Sequence, residues 1–154
     1  TGEIMALRER AAPVEEAEIL WDPSPRLLYP LLCASQTASF LPPPFEPFYL
    51  DLSHRTRHGA ARSAAIRAGD SLAACAICSA KTEEAAVLSA VAVRPDVRRR
   101  GFGARVVLAL AASLPVDTIY IFRASGENEA FYRTLGFTGH NHFAELDVQE
   151  RNNL

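Results

Sequence analysis

Apolar and polar positions change their period along the chain, most clearly after Gly59. Ala60–Arg67 and Ser71–Ala80 are two short apolar runs joined by Ala68-Gly-Asp, which predicts a hairpin. Ala85–Val93 is an apolar, β-branched run of the kind a central strand carries. Arg94–Gly103 reads as a loop. Val106, Val107, Leu110 and Ala111 then recur at helical spacing, which predicts a helix over Ala104–Ser113, stopped by Pro115. Thr118–Phe122 predicts a strand, Glu127–Leu135 a short helix and Phe143–Val148 a last strand. A strand, loop, helix and strand in that order imply a parallel right-handed crossover at the centre.

The first half is less regular. Ile4–Arg8 fits a short strand or part of a helix, and Asp22-Pro-Ser-Pro breaks the chain. Ser24 is placed to cap a helix over Arg26–Ala34, with Leu27, Leu28, Leu31 and Leu32 as its apolar stripe. Pro25 suits the first turn, and Pro30 weakens or kinks the helix. Four prolines and four aromatic residues over Phe40–Tyr49 predict an extended polyproline segment, its rings plugging the core edge or lining a pocket.

Composition narrows the class. At 154 residues, 49% apolar and 22% charged, the chain has the size and balance of one soluble globular domain. No apolar run approaches the roughly 20 residues of a membrane span. A net charge of −2 gives no reason to expect nucleic acid or a membrane as partner. The start, Thr1-Gly-Glu, has neither a secretory layout nor a Met, so upstream sequence is expected to be missing. Three cysteines suggest reduced thiols and a cytoplasmic location. Cys75 and Cys78 lie three apart on a predicted strand, hence on opposite faces, so they are not expected to share a metal or a disulfide.

The charge is uneven. Arg94, Arg98, Arg99, Arg100 and Arg105 crowd around a loop that ends in Gly101-Phe-Gly103 and opens a helix. Glycines there let an anion approach the backbone N–H groups. The helix start adds unpaired N–H groups and the positive end of its dipole, and arginines add charge-assisted bonds to phosphate. A P-loop would need a lysine after the glycines, and a dinucleotide loop would need glycine where Val106 stands.

Arg98-Arg-Arg-Gly-Phe-Gly103 resembles the [Gln/Arg]-x-x-Gly-x-[Gly/Ala] signature of the GNAT acetyltransferases, and Val91-Ala-Val-Arg-Pro95 resembles the run that precedes it. Phe131-Tyr-Arg-Thr-Leu-Gly-Phe137 resembles the family's second motif. The resemblance covers roughly residues 85–137. It implies an α/β (α+β) fold with a central mixed, mostly antiparallel twisted sheet, splayed at the cofactor site and flanked by helices. It implies one domain, with 1–58 as a variable acceptor-side lead-in and 59–148 as the cofactor-binding core. Acetyl-CoA would be the co-substrate, with no metal. The loop amides and side chains of Arg98, Arg99, Arg100, Gly101, Phe102, Gly103 and Ala104 would hold the pyrophosphate, and the strand end Val91, Ala92 and Val93 the pantetheine arm. Tyr132 would protonate the departing thiolate, as a phenol that stays protonated at neutral pH suits a general acid. The family's pantetheine-binding Asn is replaced by Ser125, and its Ala by Asn128, either of which would take over that contact.

The family's central-strand glutamate is Val87 here. Glu84, beside Glu83, is then the candidate base, and Ser89 is a candidate to position a water. Asp51, His54 and His58 lie ahead of the hairpin near where relatives bind acceptor. The implied reaction transfers acetyl to a primary amine on a small molecule or peptide, without an acyl-enzyme. The alternatives are a coenzyme A-binding module without catalysis and an unrelated phosphate-binding fold. A homodimer is compatible with this reading.

Overall fold

The computed structural model describes residues 2–9, 18–37, 40–124 and 128–143. Among them seven strands make one sheet: β1 (Gly2–Leu7), β2 (Ile19–Trp21), β3 (Arg62–Ala68), β4 (Ser71–Lys81), β5 (Ala85–Val93), β6 (Thr118–Ala124) and β7 (Thr138–Phe143). Their spatial order is β2-β3-β4-β5-β6-β1-β7. β5 and β6 run parallel, as the crossover pattern predicts, and the other neighbours are antiparallel. Helices α1 (Pro25–Ala34), α2 (Phe45–Arg57), α3 (Phe102–Ser113) and α4 (Glu129–Thr134) flank the sheet.

The N-cap of α1 follows the sequence. Ser24 Oγ accepts from the Arg26 amide at 3.2 Å, and Leu28, Leu31 and Leu32 are buried. Pro30 sits inside the helix, forgoing one helical bond. The extended segment expected over Phe40–Tyr49 is corrected by the structure: from Phe45 onward the chain is helical. Pro44 is the N-cap and Pro47 lies in the first turn, where a missing N–H forfeits no helical bond. Glu46 near the start and Arg55 and Arg57 near the end match the helix dipole.

Side-chain alternation divides the interior into two cores. Ala74, Ala76 and Cys78 of β4 face the α3 side with Val106, Leu110 and Phe137. Cys75 and Ile77 face the opposite side with Leu28, Leu32 and Leu52. The two β4 cysteines therefore sit in different cores, as strand geometry requires.

The ends of the sheet depart from the sequence pattern. β1 lies between β6 and β7, with Met5, Ala6 and Leu7 buried. The last described strand is Thr138–Phe143, earlier than the expected Phe143–Val148, of which residues 144–148 lie outside the described residues. Gly136, at φ +102°, ends α4 abruptly, and Phe137 plugs the core directly before the strand. β7 is largely exposed, so its Thr-Gly-His-Asn-His-Phe sequence shows no apolar alternation.

Phe137→Ala should destabilise the fold by about 3–5 kcal/mol, the cost of emptying a buried phenyl site, read from denaturant unfolding. Burial pushes the Cys75 thiol up to about 12 and the Tyr132 phenol up to about 12. Both groups bind their protons more tightly when folded, so their contribution is complete below their unfolded values near 9 and 10. It is lost as the pH rises toward 12. Thermal melts should show stability falling from about pH 9 upward, and a Cys75→Ala, Tyr132→Phe variant should fall less steeply.

Candidate functional site: a cleft through the sheet

β5 carries a bulge at its middle. Ile77 stands opposite Ala90 and Cys78 opposite Leu88, so Ser89 has no partner across the ladder. The bulge reverses which face each later residue takes. Ala86 and Leu88 point to the α3 side before it, and Val91 and Val93 take that side after it, with Ala92 in the other core. β6 follows β5 only from Ala85↔Thr118 to Leu88↔Ile121. Past Leu88 the two strands separate, and β6 pairs on with β1 alone. The β6-facing edge of Ser89–Val93 is left without a sheet partner.

The separation opens a cleft of about 660 Å³ that passes between the sheet's two faces. Gly103, Phe131 and Tyr132 line it on the α3–α4 side, and Ser35, Thr37 and Phe40 on the α1 side. Val91, Ala92 and Val93 form one wall.

The loop after β5 is anchored at one end and open at the other. Arg94 pairs with Asp96 at 2.6 Å and bonds Ser71 Oγ and the Ala68 carbonyl, tying the loop to the β3–β4 turn. The Arg94 hydrogen bond holds the Asp96 carboxyl below its usual range. A 3-10 turn over Pro95–Val97 buries Val97. Gly101 then adopts φ +82°, a left-handed conformation that suits glycine, and caps α3 without a side-chain bond. The amides of Phe102, Gly103 and Ala104, in the first turn of α3, have no helical carbonyl to reach. At Gly103 a Cβ would lie 2.9 Å from Val93 Cγ2, so only glycine lets the helix start sit this close to the strand end. Free amides, a helix dipole and adjacent arginines suit a diphosphate.

The arginines divide into roles that the sequence run does not separate. Arg98 and Arg99 line the cleft, Arg98 with its Nε 3.4 Å from the Val93 carbonyl. Arg100 lies over the Phe102 ring, 5.2 Å from its centroid, and faces a hollow of about 820 Å³ on the loop's outer side. That hollow is lined by the Arg94–Asp96 pair and by no residue of β5 or β6, so it lies away from the strand separation. Arg105 pairs with Glu18 at 2.8 Å.

Tyr132 is buried at the cleft wall, and among the described residues its hydroxyl has no hydrogen-bond partner. Phe131 and Phe137 pack edge-on to its ring, at centroid distances of 5.0 and 5.6 Å. With the phenol at about 12, it keeps its proton throughout neutral pH. Asn128 lines the cleft from the N-cap of α4 at φ +58°, its side chain making no cap bond. Ser125 lies outside the described residues.

Ser89 also lines the cleft, its Oγ donating to the Ile77 carbonyl at 3.4 Å. The structure does not bring Glu84 there. Glu84 precedes the opposite end of β5, where its carbonyl accepts from the Asp117 and Thr118 amides and its side chain is exposed. Five extended residues put it roughly 16 Å from Ser89. Asp51 pairs with Arg55 at 2.9 Å, and the rings of His54 on α2 and His58 at its C-cap lie 4.3 Å apart; none of the three lines the cleft.

Arg123 is a cleft residue that the sequence reading misses. It is buried at the end of β6, 3.2 Å from Glu3 and 3.5 Å from Glu129. Arg133 closes the set, 2.8 Å from Glu129. Its one sequence signal is a lone charge at the end of Ile119-Tyr-Ile-Phe-Arg123.

Comparison with known proteins fits this geometry. Residues 64–144 match the family model described as FR47-like protein. No curated protein sequence matches the chain significantly. Among solved structures, a GNAT-family protein from Novosphingobium aromaticivorans superposes with a TM-score of 0.66 at 19% identity, over 91% of this chain and 60% of that one. A GCN5-related N-acetyltransferase from Sphaerobacter thermophilus gives 0.67 at 16% identity, over 91% of this chain and 48% of that one. A GNAT-family acetyltransferase from Streptococcus pneumoniae gives 0.65 at 16% identity, over 86% and 98%. The chain thus spans about 60% and 48% of the first two proteins' lengths. At these identities the superpositions speak for the fold. The family match, over more than half of the chain, makes it a member of the FR47-like family, and the superpositions show that it shares the fold of GNAT-family acetyltransferases.

Proposed function

We propose that this domain transfers an acetyl group from acetyl-CoA to a primary amine by direct attack in a ternary complex. The observation that carries this reading is the opening between β5 and β6 beside the uncapped start of α3. Main-chain amides of Phe102, Gly103 and Ala104, with Arg98 and Arg99, would hold the diphosphate. The unpaired edge of Val91–Val93 would pair with the amide groups of the pantetheine arm. Acetyl-CoA supplies the activated acyl group as a thioester. The amine, entering from the α1 side, attacks the carbonyl carbon; a C–N bond forms and the C–S bond breaks. The backbone around Ala90–Val91 polarises that carbonyl. The amine gives up its proton to water, with Ser89 positioned to hold that water. Tyr132 donates the proton that the departing sulfur takes up. Asn128, exposed at the cleft edge, is the described candidate for the missing pantetheine contact.

Tyr132→Phe should lower kcat by about 10²–10⁴-fold while calorimetry shows coenzyme A bound as before. An unchanged kcat would reduce Tyr132 to a packing residue. Coenzyme A binding without thiol release across a panel of amines would make the domain a binding module instead. Gly103→Ala, which drives a methyl against Val93, should weaken coenzyme A binding by about tenfold in the same titration.

A further inference from the structure

Resting on the transfer reading, the acceptor's chemical class follows from the walls of the α1-side mouth. The chain from Leu27 in α1 to Phe45 at the start of α2 contains no Asp, Glu, Lys, Arg or His. This stretch supplies Ser35, Thr37 and Phe40 to the cleft. Ser89–Val93, opposite, is likewise uncharged. Across the opening lies Phe122. Ile119 and Ile121 point into the α3-side core, so alternation aims Phe122 to the α1 side, where it is 53% exposed. The cleft's described charged residues lie elsewhere: Arg98 and Arg99 at the glycine loop, and Arg123 on the α4 side, held by Glu3 and Glu129.

A second ammonium group entering this mouth would lose water without gaining a counter-ion among the described residues that line it. Two phenyl rings instead offer apolar surface, and the serine and threonine hydroxyls offer only neutral hydrogen bonds. We infer that the acceptor is a primary amine carried on an aromatic or other apolar body with no second charge, its body lying between Phe40 and Phe122. The same neutral walls leave the reacting nitrogen to arrive as the free amine, its proton already lost to water. The acetyl–nitrogen bond then forms as the thioester bond breaks, with the sulfur protonated as above.

The test measures thiol release from acetyl-CoA with phenethylamine and with spermidine, alongside calorimetric binding of coenzyme A. Phenethylamine should be preferred by at least about tenfold in kcat/KM. Phe40→Ala should raise the KM for phenethylamine by about tenfold with kcat and coenzyme A affinity kept, whereas Phe40→Leu should stay near the parent value. Phe122→Asp should shift the preference toward spermidine. Preference of the parent protein for spermidine, an unchanged KM in Phe40→Ala, or turnover of neither amine with coenzyme A bound would each overturn the inference. Failure to bind coenzyme A at all would overturn the transfer reading beneath it.

Discussion

A β-sheet stabilises itself by pairing every main-chain N–H and C=O, and the architecture of this domain depends on breaking that rule at one place. Beyond Leu88, β5 and β6 no longer pair, although they run side by side in parallel before that point. Unpaired main-chain groups facing an apolar interior are costly, so such a gap persists only where the surroundings impose it and where water or a ligand can reach it. The surroundings here are the two cores. The bulge at Ser89 turns Val91 and Val93 toward the α3 side and Ala92 toward the α1–α2 side. Each core thus holds the departing strand from its own face, and the cleft cannot close without unpacking both.

The glycine loop adds a second departure from full pairing. Arg94 fastens the loop to the β3–β4 turn, which leaves the start of α3 positioned but uncapped. Gly103 brings that start against Val93, so the free helix amides and the strand edge that lacks a sheet partner meet at the same end of the cleft. A molecule with a diphosphate at one end and an extended amide-bearing arm at the other is complementary to that pair of edges.

The far wall is held by charge as well as by packing. Arg123 joins β1 through Glu3 and α4 through Glu129, and Arg133 on α4 completes the set. Arg123 is buried while Glu129 and Arg133 are half exposed, so the pairs contribute little net stability, but removing Glu3 would leave the buried Arg123 charge poorly compensated. The arrangement therefore fixes where α4, and with it Tyr132, stands relative to β6. β1, drawn from the chain's start into the far half of the sheet, becomes part of the site's framework through this contact.

Much of this was legible in the residues themselves. The hairpin, the central strand, the crossover helix and the Ser24 cap are local: each follows from periodicity, turn residues or a single capping side chain. So does the glycine loop, because Gly101, Gly103 and the arginines are contiguous and their anion chemistry is a property of the backbone. Prolines misled at Pro44 and Pro47, since a proline weakens a helix interior, as Pro30 does in α1, yet costs nothing in a first turn, and position within the helix decides which applies. The place of β1 between β6 and β7, the separation past Leu88, the burial of Arg123 and the distance of Glu84 from the cleft were left to the tertiary structure. Each depends on which strands become neighbours and which faces become covered. Those are properties of contacts between residues far apart in the chain, and no local pattern encodes them.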